Sequence, residues 1–133
     1  MFTDLATIRN AVKDRLTPIL PAYWKPMVTL EGTIKARTPV YYIEYVALEQ
    51  RAQNHNLPHG QVCARFNIII TDPKTDTEKA ENSVDEHVLH VIRALDSIDD
   101  MWWDTCEKKR LEDGPLAWTF TVFAFATTTD TQE

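Results

Sequence analysis

The sequence predicts an α+β fold: a mostly antiparallel sheet of four or five strands with two helices packed on one face. Three observations predict it. Two segments carry apolar residues at helical spacing, one at the start of the chain and one in its middle. The stretches between and after them alternate with the period of a strand. The resulting order of helix, strands, long helix, strands supplies only two helices, enough to cover one face of a sheet.

Leu5, Ile8, Val12, Leu16 and Ile19 define an amphipathic helix near residues 4–17. Thr3 or Asp4 can cap it, and Pro18 disfavours helical geometry at Thr17, which stops it. Pro21 and Pro26 keep the next stretch extended, with a short strand over Met27–Glu31 before Gly32. Val40 to about Gln50 is a long strand rich in tyrosine and β-branched residues. Arg51 to Gln61 is a polar loop broken by Asn54, Asn56, Pro58 and Gly60. In the strand from Val62 to Thr71, Val62, Ala64, Phe66, Ile68 and Ile70 point one way, and Cys63, Arg65 and Asn67 the other. Asp72-Pro73-Lys74 is a turn, and Thr75-Asp76-Thr77-Glu78 has the form of a capping box. A helix of about 20 residues follows, with Ala80, Val84, Val88, Val91 and Leu95 on its apolar stripe. Met101–Leu111 and Leu116–Thr127 form a hairpin around Glu112-Asp113-Gly114-Pro115. The last strand puts Leu116, Trp118, Phe120, Val122, Ala124 and Ala126 on one face, and residues 128–133 form a polar, frayed tail.

A length of 133 residues fits one domain, residues 1–133, with one core. Lys and Arg total 14 against 20 Asp and Glu, a net charge of -6 that argues against a duplex-binding surface and suits a protein that DNA slides past. Cys63 and Cys106 are too few for a disulfide framework. The start, Met1-Phe2-Thr3-Asp4, reads as a folded domain and not a secretory signal. No stretch approaches the roughly 18 apolar residues of a membrane helix. These features together read as a reduced, cytoplasmic protein.

No phosphate-cradling loop, dinucleotide fingerprint, nucleophile elbow or Cys-x-x-Cys pair is present, and the three glycines are scattered. His55 and His59 share the polar loop, and His87 and His90 lie at i and i+3 on the long helix. Either pair could supply two metal ligands, but no spacing completes a site. The working expectation is no metal, no cofactor and no catalytic residue. Asp96, Asp99, Asp100 and Asp104 gather at the C-terminal end of the long helix, where carboxylates oppose the helix dipole. They read as a solvated turn or a contact surface; a catalytic or metal-binding carboxylate beside Trp102 and Trp103 is the third reading, and the sequence names no partner residue for it.

With one sheet face covered by helices, the other must be wet or buried by a partner. The candidates for that face are Tyr41, Ile43 and Tyr45 on one strand, Arg65, Asn67 and Ile69 on the next, and Thr119, Thr121, Phe123 and Phe125 on the last. Mixed apolar and polar surface of this kind suits a subunit interface, the alternative being the scattered apolar surface of a monomer. Both faces of Val40–Gln50 are largely apolar, so its facing stays open. The polar loop of about eleven residues suits a flexible contact arm or a plain mobile loop. The candidate interface residues are Tyr41, Ile43, Tyr45, Arg51, Asn54, His55, Asn56, His59, Asp99 and Asp100.

This layout resembles the tail terminator proteins, or minor tail proteins of the same fold, of long-tailed bacteriophages. The resemblance rests on the opening helix Thr3-Asp4-Leu5-Ala6-Thr7-Ile8-Arg9 running into Leu20-Pro21, then the strand Pro39-Val40-Tyr41-Tyr42-Ile43. It continues through the polar loop, the strand Arg65-Phe66-Asn67-Ile68-Ile69-Ile70, the helix end Val91-Ile92-Arg93-Ala94-Leu95 and the hairpin strand from Trp118 to Phe125. It spans nearly the whole chain and is one of layout, without a diagnostic motif. It implies a structural virion protein of the tail-neck region, assembled in the host cytoplasm. It also implies a homo-oligomeric ring of six subunits that caps the tail tube, ends its polymerisation and offers a joining surface to the head. The implied partners are copies of itself, the tail tube protein and the head-side connector, with no enzyme activity and no cofactor. DNA would pass through the lumen without specific binding. The alternatives are another neck component, such as a head- or tail-completion subunit, or a small enzyme or ligand-binding domain using the second sheet face.

Overall fold

The structure, a computed structural model, describes residues 1–21, 24–27, 39–52, 55–72, 78–111 and 116–128. The expected capping box at Thr75–Glu78, the turn at 112–115, most of the strand at 27–31 and the tail beyond Thr128 lie wholly or largely outside the described residues, as does Asn54.

Helix α1 spans Leu5–Leu16 and buries Ile8, Val12 and Leu16 on one side. Asp4 caps it: Oδ1 accepts the Thr7 N–H at 2.7 Å and the Thr7 hydroxyl at 2.6 Å. These bonds hold the Asp4 carboxyl below its usual value of 3.8. Thr17 keeps helical dihedrals (φ -54, ψ -44) although Pro18 follows, contrary to the sequence expectation, and its N–H and hydroxyl both reach the Lys13 carbonyl. The helix ends there because Pro18 has no N–H with which to continue the ladder.

Strand β1 (Lys25–Met27) runs parallel to β2 (Val40–Glu49), pairing Lys25 with Val40 and Met27 with Tyr42. The expected loop at 51–61 contains a small hairpin of its own, β3 (Arg51–Ala52) against β4 (His55–Asn56). Then come β5 (Gln61–Thr71), α2 (Glu78–Asp96), β6 (Met101–Arg110) and β7 (Leu116–Thr127). Among the described residues the main sheet has five strands in the order β1-β2-β5-β7-β6, antiparallel apart from the β1–β2 pair. The fold is therefore α+β, as the alternation of helical and strand periods predicts.

One core lies between the helices and one sheet face. Val84, Val88, Val91 and Leu95 of α2 and Ile8, Val12 and Leu16 of α1 meet Phe66, Ile68 and Ile70 of β5 and Phe120, Val122 and Ala124 of β7. The expected facing of β5 and β7 is what the structure has. Each fully buried side chain of this size contributes about 1.5–3 kcal/mol, and the helices hold to the sheet through that burial.

Candidate functional site

The register of β2 overturns one expectation. Tyr41 lies opposite Ile70, Ile43 opposite Ile68 and Tyr45 opposite Phe66, so all three face the helices. Tyr41 and Ile43 are buried in the core. The Tyr41 hydroxyl sits 3.2 Å from the Thr17 hydroxyl. The Tyr45 hydroxyl donates to the Leu5 carbonyl, and the Arg9 guanidinium lies 5.1 Å from its ring centroid. Burial raises the Tyr45 phenol above its usual value, with Arg9 partly offsetting this. These residues anchor α1 to the sheet and do not form an exposed patch. The physical reason is that β2 is apolar on both faces, so only its hydrogen-bond register with β5 decides which face meets the helices.

The second sheet face is formed by the complementary set, with Tyr42 and Glu44 on β2, Cys63, Arg65, Asn67 and Ile69 on β5, and Thr119, Thr121, Phe123 and Phe125 on β7. The expected placement of Arg65, Asn67 and the β7 residues holds. Near one end, Ile69, Leu111 and Ala117 form a small apolar cluster with Tyr42 packed on it. In the middle, Arg65 Nε lies 2.8 Å from Glu49 Oε1. Asn67 Nδ2 donates to Glu44 Oε1 at 3.4 Å.

At the other end Trp102 of β6 stacks on Phe123 with centroids 5.4 Å apart and planes 15° apart, and lies 4.7 Å from Phe125. The β3–β4 hairpin reaches this aromatic group: Ala52, His55 and Leu57 line a cavity of about 290 Å³ together with Trp102 and Phe125. Arg51 Nε braces the hairpin by donating to Asn56 Oδ1 at 2.9 Å, and the Leu57 N–H donates to the Gln50 carbonyl. His59 is exposed in the following turn, where Gly60 takes φ 87, and the Gly60 carbonyl accepts the Thr127 hydroxyl and the Thr128 N–H. Asp99 and Asp100 form the exposed turn before β6. Asp100 has φ 61, its carbonyl accepts the Phe125 N–H at 2.9 Å, and its carboxylate lies 2.7 Å from the Met1 ammonium.

Of the candidate residues, His55 of the hairpin and Asp100 both adjoin Phe125, so that end of the second face gathers them, while Tyr41, Ile43 and Tyr45 lie on the opposite face. Trp102, Ala52 and Leu57 join them there. No local pattern places them; the phase of β7 places only Phe123 and Phe125, which alternate with core Val122 and Ala124.

The acidic helix end has a local partner: Asp96 Oδ1 accepts the Trp103 indole N–H at 3.1 Å. Burial raises both thiols, Cys63 with a contribution from Glu49, and Cys106 to about 11 with one from Glu107. Neither is activated as a nucleophile. The His87 and His90 rings lie 6.0 Å apart, edge to face. Among the described residues no group of three or more His, Cys, Asp or Glu side chains is placed to hold a metal ion. No described helix is long and apolar enough to cross a membrane. A second, larger cavity of about 790 Å³ lies between the helices, where Asp14 and Arg15 of α1 and the following Ile19 face Leu89, His90 and Arg93 of α2.

No protein-family model and no curated protein matches the chain.

Proposed function

We propose that this chain is a structural subunit of a long-tailed bacteriophage neck, a tail terminator. It forms a ring on the end of the tail tube, stops tube growth and presents a surface to the head-side connector. The observation that carries this reading is the second sheet face, which pairs an aromatic group at Trp102, Phe123 and Phe125 with polar residues and the small β3–β4 hairpin beside it. A face of that mixture fits protein contact better than small-molecule chemistry. The net charge of -6 supports a lumen that DNA traverses without sticking. The ring, its six copies and the named partners come from the resemblance in layout.

The test is the mass of the purified protein by light scattering, alone and mixed with tail tubes of the same virus. A ring in solution, or monomers that become a ring at tube ends, is the expected result. A monomer that ignores tubes overturns the reading. A ring that binds the connector but not the tube assigns the chain to a different neck position. A ligand-binding function is favoured by one observation, the groove that gathers Asp14, Arg15, His90 and Arg93 around an apolar floor that includes Ile19 and Leu89. Persistent monomers would direct attention there.

A further inference from the structure

The two edges of the main sheet are irregular at nearly the same level. Reading across the strands, Ala47, Arg65, Phe123 and Trp102 lie on one level, and Tyr45, Phe66, Val122 and Trp103 on the next. On β2 the register shifts between Tyr45 and Ala47, so Val46 is an extra residue between those two levels. On β6 it shifts between Trp103 and Thr105, so Asp104 is extra beside the second level. Among the described residues β1 flanks β2 only from Val40 to Tyr42, and β6 pairs only with β7.

Bulged edges resist extension of the hydrogen-bond ladder by another chain. A contact at these edges is therefore made by side chains. On the β2 edge Val46 is 48% exposed and Leu48 58%, although both belong to a strand whose other apolar residues are largely covered. On the β6 edge, at the same level, stand the half-buried Trp102 and Trp103. Three strand spacings of about 4.8 Å separate the two edges, so Val46 cannot reach Trp102 of its own chain. A ring that closes without rise uses two different patches at one level on opposite sides of the subunit. The two bulged edges meet that condition.

We infer that Val46 and Leu48 on the β2 edge of one copy pack against Trp102 and Trp103 on the β6 edge of the next. This rests on the ring reading above and identifies the subunit contact within it. The contact is heterologous, so each subunit uses both edges, and Asp104 at its rim stays in water.

Cross-linking tests it directly. Full-length Val46→Cys protein is mixed with Trp102→Cys protein under assembling conditions and treated with a short bismaleimide, beside each variant alone and the wild type. The mixture is expected to give at least tenfold more covalent dimer than any single sample. Equal dimer in the samples containing one variant overturns the inference. In parallel, Leu48→Asp, a change at an exposed site, is expected to weaken self-association at least tenfold in sedimentation while leaving the melting temperature unchanged. Undiminished assembly of Leu48→Asp with no mixed cross-link overturns this contact and leaves the ring standing. Wild-type protein that stays monomeric at every concentration and on tail tubes overturns both.

Discussion

Asp85 on α2 and Trp118 on β7 are joined by a hydrogen bond, the indole Nε1–H donating to Oδ1 at 2.7 Å. Lys108 on β6 donates to the same oxygen at 3.2 Å and lies 5.7 Å from the Trp118 ring centroid. One carboxylate thus ties the long helix to the two closing strands. Its side chain is 42% exposed, so water screens the charge and the indole bond carries most of the effect. Asp85→Asn keeps an acceptor for Trp118 and is expected to cost less than 1 kcal/mol or so, whereas Asp85→Ala costs about 1–2 kcal/mol. Urea unfolding of the two variants measures the difference, and equal losses would show that the charge matters more than the indole bond.

Ile43 is a core residue, so Ile43→Asp acts on folding before it acts on any contact between chains. A carboxylate placed beside Ile68 under α1, with no partner, is expected to cost about 4 kcal/mol or more and to lower the urea midpoint sharply. A protein that carried this change with an unaltered midpoint would contradict the register of β2.

Much of the fold is legible in the sequence because burial there follows a single clear period. Val84, Val88, Val91 and Leu95 can occupy only one side of a helix, and Phe66, Ile68 and Ile70 only one face of a strand. β2 offers no such asymmetry. Val40 and Tyr42 are as apolar as Tyr41 and Ile43, and the bulge at Val46 shifts the phase of everything after it. The candidate site was half legible for the same reason. Phe123 and Phe125 are placed by alternation with Val122 and Ala124, but their neighbours Trp102, Ala52 and Leu57 arrive through long-range pairing that no local pattern encodes. The turn at Asp100, with φ 61 at a residue other than glycine, likewise depends on the Phe125 N–H that reaches its carbonyl.

The thiols provide a chemical check on the packing. Cys63 lies on the second face beside Phe125, and Cys106 borders the main core. Burial raises both, Cys106 to about 11. A thiol reagent at pH 8 is therefore expected to label folded protein many times more slowly than urea-unfolded protein, because the thiolate is the reacting form. Rapid labelling of one thiol in folded protein would show that its strand is accessible in solution.

His87 couples the helix layer to pH. Its ring meets Trp24 edge to face at 5.6 Å and His90 at 6.0 Å, and its Nδ1 is buried without a hydrogen-bond partner. Burial lowers its pKa below the usual 6.5, with Glu86 opposing the shift and His90 adding to it. The folded chain therefore takes up this proton at lower pH than the unfolded chain does. The stability contributed by neutral His87 is complete above pH 6.5 and is lost as pH falls through the folded value. Wild-type protein is expected to lose more melting temperature between pH 7.5 and pH 5.5 than His87→Gln, which has no charge to gain. The other ionisable groups are common to both proteins, so the difference between the two profiles reports His87 together with its interaction with His90. Parallel profiles would mean that His87 is hydrated in solution and that the Trp24 contact does not exclude water from its ring.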